Sequence, residues 1–273
     1  MNGDLAKRPS TLWLGLSLAA AAILAAPSVA DAQPRVAMST YRPPSKDPRN
    51  IAGAYQPQTD TKMFPIEGGL PPLQPWAKAI YDRRAKAEAA GEPESQDSTS
   101  CLPQGEPRVW LGSFPHFIYQ VDAAHSASGV AEVVILHELM HLVEHIYLDE
   151  KHPNPEDIDP TYLGHQVGRW EGNTLVIDIV GQKADTWIDG VGIPHTDKLH
   201  VLQRWKKLLD GKQLELMVTL DDPGAFTRPW TARRVYDWSP NLREIEYVCE
   251  ENNRNAPDEK TGVTGVIMPG SAR

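Results

Sequence analysis

The chain has 273 residues, of which 41% are hydrophobic, 23% charged and 7% aromatic, and its formal net charge is −9. That balance excludes a chain disordered throughout, a disulfide-dense miniprotein and a polytopic membrane protein. Negative charge without clustered Lys and Arg argues against a nucleic-acid partner, and no glycine-rich phosphate loop or dinucleotide fingerprint is present.

Residues 1–32 read as a signal peptide. Lys7 and Arg8 precede the apolar run Leu12 to Ala26, Pro27 breaks it, and Ala30-Asp31-Ala32 supplies the small-x-small pattern of a cleavage site. The run is short for a bilayer span. No cysteine stands at the cleavage point to take a lipid anchor. The expected mature protein starts at Gln33, is periplasmic or secreted, and has no stable membrane anchor after cleavage. Export leaves Cys101 and Cys249 in an oxidising compartment, where two cysteines are expected to pair. Such a bond closes a loop of about 150 residues, worth roughly 4–5 kcal/mol in the loop-entropy model.

Residues 33–108 hold 12 of the 24 prolines and read as an extended arm. One helix is predicted within it, over about 75–90. Pro75 suits its first turn, Trp76, Ile80 and Tyr81 form an apolar patch, and Gly91 ends it. From 109 to 255 the pattern is strands and turns. One hairpin is predicted around Gly172-Asn173 and a second around Asp210-Gly211, with further strands at Trp230 to Trp238 and Leu242 to Cys249. Strands at this spacing predict a mainly β fold, an antiparallel barrel or sandwich of lipocalin-like shape. Residues 256–273 read as a flexible tail.

His137-Glu138-Leu139-Met140-His141 matches the zinc-protease pattern. On a helix it would place His137 and His141 one turn apart as zinc ligands, with Glu138 to activate a water. Against this, no glycine bend or distant third histidine of the extended motif follows. The β-branched and aromatic flanks suit two strands as well as one helix, so periodicity leaves both open.

The first hairpin offers another candidate. With Glu171 opposite Thr174, the residues His165, Val167 and Arg169 share a face with Val176, Asp178 and Val180, while Trp170, Leu175, Ile177 and Ile179 form the other. Arg169 and Asp178 are diagonal neighbours able to pair. The face is either a lumen-lining site or a solvated outer surface. The second hairpin groups His200, Leu202 and Arg204 with Met217 and Thr219 in the same way. Between the hairpins, Trp187, Asp189 and His195 lie in a loop that either closes over a ligand or is ordinary turn chemistry.

The segments PWAKAIYDRR, CLPQGEPR, GHQVGRWEGNTLVIDIVG, WIDGVGIPHTDKLH, DDPGAFTRPWT and EYVCEENN resemble a large family of exported bacterial proteins, over about residues 65–255. In that family the stretch matching 133–150 typically reads as strand, polar turn and strand ending in Asp-Gly-Arg. Glu138 fits the pattern, the His137/His141 pair is not a fixed part of it, and Glu150-Lys151 replaces Gly-Arg. The resemblance implies architecture and export. It carries over no catalytic residue.

The expected function is therefore an exported β-barrel protein with a small, largely apolar molecule as ligand or substrate. Candidate acid–base residues are His165, Asp178, His195 and His200, and candidate ligand contacts are Arg169, Trp187 and Asp189. No cofactor is expected in this reading. The alternative is a zinc hydrolase built on His137, Glu138 and His141.

Overall fold

The computed structural model describes residues 43–57, 62–92, 94 and 101–249. The expected signal peptide and the expected tail lie outside them. Nine strands form one closed barrel in chain order: β1 (Gly53–Pro57), β2 (His116–Val121), β3 (Glu132–His137), β4 (Leu142–Leu148), β5 (His165–Glu171), β6 (Thr174–Val180), β7 (His200–Leu208), β8 (Gln213–Asp221) and β9 (Trp230–Trp238). Among the described residues one α-helix, α1 (Pro75–Ala89), packs outside with Ala77 and Tyr81 buried. No helix among the described residues is long and apolar enough to cross a membrane.

The meander from β5 to β9 follows its local sequence. Gly172 takes φ +59 at the β5–β6 turn, and Glu171 stands opposite Thr174 as the alternation requires. At the β7–β8 turn Leu209, Asp210 and Gly211 all have positive φ, and His200, Leu202 and Arg204 face Asp221, Thr219 and Met217. Leu175, Ile177, Ile179, Val201, Trp205, Leu214, Leu216, Val218 and Leu220 then fill the lumen. The lumen is a packed core, as in small closed barrels.

Two connections depart from the meander. The arm is not only an arm. Its β1 pairs with β2 through Gly53, Ala54 and Tyr55 and with β9 through Tyr55, Gln56 and Pro57, and so closes the barrel. Between β4 and β5 the chain crosses over, and the two strands pair in parallel at only Tyr147–Val167 and Leu148–Gly168. Gly168 is required at this seam, because a Cβ there would lie 2.7 Å from Ile146 and 2.9 Å from Leu148.

The strand expected over Leu242 to Cys249 does not form. β9 already pairs with β8 on one edge and β1 on the other, so closure leaves no edge for another strand. The segment instead runs as a strap across the end of the barrel. Its Ile245 N–H donates to Glu138 Oε2, its Tyr247 N–H meets His141 Nε2, and the Cys101–Cys249 disulfide fixes its end.

Candidate functional site

Residues 132–148 form two strands and a tight turn, not a helix. Met140 and His141 sit at φ +58 and +49, a left-handed pair that suits a hairpin and cannot continue a right-handed helix. Val133, Val134, Ile135, Ile146 and Tyr147 favour the pleated surface on either side. The helical ligand geometry expected of HELMH is therefore replaced. His137 ends β3 facing the lumen, fully buried, while His141 is partly exposed and bonded to Ile245 and Tyr247 of the strap. The two imidazoles serve different neighbours, and Glu138 serves the strap. Among the described residues no three His, Cys, Asp or Glu side chains are arranged to hold a metal ion.

His137 instead joins a buried polar chain inside the barrel. Registers His116↔His137 and Ile135↔Glu144 turn His116, His137 and Glu144 inward from β2, β3 and β4. His137 Nε2 meets Glu144 Oε1, and His137 Nδ1 lies 2.8 Å from His116 Nδ1. The 3₁₀ turn Arg108–Trp110 enters the same space. Glu106 Oε1 accepts from Trp110 Nε1 at 2.8 Å, and its Oε2 accepts from Gln203 Nε2 at 2.8 Å. Trp205 Nε1 donates to Gln203 Oε1 and so fixes that amide. The Trp110 ring packs on His116, His137, Trp205 and Tyr236, with centroids 4.5–5.7 Å away.

The electrostatics of this chain have clear directions. Burial raises the Glu106 carboxyl well above the usual carboxylate range, reinforced by Glu144 beside it. Burial, and then the His137 charge, hold His116 well below the usual imidazole value. Both shifts favour the uncharged form, a neutral imidazole at His116 and a protonated carboxyl at Glu106. His137 bridges Glu144 Oε1 through Nε2 and His116 Nδ1 through Nδ1, and His116 Nε2 and Glu144 Oε2 are buried with no hydrogen-bond partner. The arrangement is a buried polar chain of His116, His137 and Glu144, with Glu106 beside Glu144.

A cavity of about 220 Å³ adjoins these segments. It is lined by Gln104, Arg108, Leu111, Gly112, Ser113, Phe114, Leu139 and Gly190. Its walls are the chain on either side of Glu106 and Trp110, the link from Trp110 to His116, and the residue two beyond His137. Behind it Trp187 is buried, with the guanidinium of Arg84 4.1 Å and that of Arg108 5.2 Å from its ring.

The other residues expected to act divide into three groups. His165, Asp178 and His200 do come together, on the outer face. His200 Nε2 is 2.8 Å and His152 Nε2 3.1 Å from Asp178 Oδ1, and His152 Nδ1 is 2.9 Å from His165 Nδ1. Arg169 does not join them. It bonds Glu171, which also holds Arg204, and stands half exposed. The face opposite theirs, with Leu175, Ile177 and Ile179, lines the lumen, so of the two placements open to His165, Arg169 and Asp178 the barrel takes the outer one.

His195 and Asp189 are bound into their own loop. His195 Nδ1 donates to Thr196 O and its Nε2 meets Thr186 Oγ1, and burial lowers its proton affinity. Asp189 Oδ1 accepts the N–H groups of Val191, Gly192 and Ile193, its Oδ2 accepts from Met63, and burial nonetheless raises its carboxyl. Both are loop-forming residues with their hydrogen bonds already made. Sequence reasoning missed Glu106 and His116 altogether and offered Glu144 only as a third ligand for the zinc alternative. The one signal was the lumen-side position of Glu144 in the alternating run LVEHIYL.

Comparison of the sequence with protein-family models and with curated proteins gave no match. The fold and the site define a closed nine-stranded β-barrel protein with a buried acid–base chain beside a small cavity.

Proposed function

We propose that this is an exported, periplasmic or secreted barrel protein that binds a small, largely apolar molecule in the cavity beside Arg108. The His116–His137–Glu144 chain moves a proton to or from that molecule. The observation that carries the reading is the nearness of cavity and polar chain along the sequence: the lining residues Gln104, Arg108, Phe114 and Leu139 each stand two residues from Glu106, His116 or His137. A buried polar chain is costly in a core unless every member is satisfied. His116 Nε2 and Glu144 Oε2 are the atoms left over, and proton exchange with a ligand is what this chain can offer. The cystine and the leader-like residues 1–32 support export.

The test is saturable 1:1 binding of single-ring apolar probes, followed by tryptophan fluorescence. A Leu139→Trp variant that fills the cavity should abolish binding while keeping the wild-type circular dichroism. Titration calorimetry in two buffers of different ionisation enthalpy should then show proton exchange on binding, lost in His137→Phe. Absence of saturable binding in the folded wild-type protein would overturn the proposal.

A further inference from the structure

A second cavity, of about 300 Å³, lies behind the end of the strap that runs from Leu242 to Cys249. Pro103, Met140, Leu142, Tyr247 and Val248 line it together with the Cys101–Cys249 cystine, and none of these side chains carries a charge. This outer cavity and the inner one of about 220 Å³ are walled by neighbouring residues. Gln104 and Leu139 line the inner cavity, and Pro103 and Met140, next to them in the chain, line the outer. The two linings also touch through an aromatic pair. Phe114 of the inner wall and Tyr247 of the outer stand edge to face, with ring centroids 5.4 Å apart. The strap over this junction is shallowly packed. Ile245 is 64% and Val248 37% exposed, and the strap meets the β3–β4 turn through the Ile245 N–H on Glu138 and the Tyr247 N–H on His141. A segment with so little buried apolar surface opens locally, without disturbing the main core.

Resting on the reading of the inner cavity as a binding site, we propose that the outer cavity is its entrance and the strap its gate. An uncharged, largely apolar molecule enters between the strap and the β3–β4 turn, passes Met140, and reaches the inner cavity when the Tyr247 and Phe114 rings part. Methionine suits such a passage, because its unbranched, polarisable side chain adapts to varied apolar shapes. A lining without charge turns away an ionised molecule, which would lose its water there without gaining a partner. The strap is fixed at both ends, by the Ser239 N–H on Ala54 O and by the cystine, so its middle moves while its ends stay in place.

Stopped-flow tryptophan fluorescence with toluene reads the gate on the full folded protein. Tyr247→Ala should raise the association and dissociation rates together, each at least about tenfold, and leave Kd within about threefold of the wild type. Cys101→Ser with Cys249→Ser, which frees the end of the strap, should do the same. Unchanged rates in Tyr247→Ala overturn the gate and leave the cavity reading standing. Faster dissociation alone, with Kd weakened to match, makes Tyr247 a ligand contact and also overturns it. Failure of toluene to bind the wild type overturns the cavity reading, and the gate is then read without a ligand. A Leu111→Cys thiol, buried in the inner wall, should react with methyl methanethiosulfonate at least about tenfold faster when Tyr247→Ala is also present. A Leu216→Cys thiol, in the core of the meander, should keep its rate. Equal acceleration of both thiols, or of neither, overturns the gate.

Discussion

Asp178 accepts from His152 and His200 through one oxygen, so the contact changes strength with the charge on its partners. The bond from His200 holds the Asp178 carboxyl below its ordinary value, and the bond to Asp178 raises His200 above the usual imidazole value of about 6.5. A raised imidazole stabilises the fold fully below its unfolded pKa, and that contribution is lost as pH rises through the folded one. Asp221 adds to the rise at His200. His165 works in the opposite sense: burial and the His152 charge depress it, so it costs stability as pH falls below about 6.5. A His200→Gln variant should therefore show a larger deficit in Tm at pH 6 than at pH 8.5. A deficit that does not change with pH would show that the charged contact is not formed. Arg169 offers a contrast. It is half exposed and shares Glu171 with Arg204, so Arg169→Met should cost less than about 1 kcal/mol in chemical denaturation. A loss of roughly 3–5 kcal/mol, as for a broken buried pair, would contradict its outer-face position.

The β3–β4 hairpin shows how one element can take over a motif's residues for another purpose. Glu138 and His141 of HELMH hold the strap at Ile245 and Tyr247, and the Cys101–Cys249 bond secures the strap's far end across a separation of 148 residues. In the loop-entropy model a closure of that length is worth about 5 kcal/mol. Cys101→Ser with Cys249→Ser should lower stability by about that much in urea denaturation, with m raised because the uncrosslinked denatured chain is more open. Thiol titration of the denatured, unreduced protein should find no reactive groups, and two per chain would contradict the bond.

Local sequence made β5 to β9 legible, because each strand alternates cleanly and each hairpin carries its own turn residues. It hid β1, whose GAYQP has neither alternation nor length and is a strand only because two neighbours claim its edges. It also suggested a strand at 242–249 that a closed barrel cannot accept. The buried polar chain was hidden for a related reason. His116, His137 and Glu144 lie on three strands and meet only through register, whereas His165 and Asp178 could be grouped from the β5–β6 hairpin alone and His200 joins them through the β6–β7 pairing. Whether that second group faced lumen or water depended on which side the barrel closed around.

Across the whole molecule closure is uneven. β7 and β8 share nine residue pairs and β8 and β9 share eight, whereas β4 and β5 share two and β1 bridges its neighbours with three on each side. Native-state opening follows the least-held seams, since amides there are freed without disturbing the main core. The β4–β5 seam is held by its short parallel pairing, the Asp149 N–H to Gly168 O bond at 2.7 Å, and the packing of Ile146 and Leu148 over Gly168. At β1 the Trp238 ring lies over Gly53, where a Cβ would come within 1.9 Å of it, so that closure depends on packing as much as on hydrogen bonds. Hydrogen exchange should therefore find the Asp149 amide exchanging through a local opening of small free energy. The amides of Val201, Leu216 and Val218 should exchange only with global unfolding. A Gly168→Val substitution should speed exchange at Asp149 and across β4 while leaving the β7–β8 amides governed by the global stability. Equal protection of Asp149 and Val218 in the wild type would mean the barrel opens only as a unit. The buried polar residues on β2 to β4 would then be as rigid as the meander that faces them.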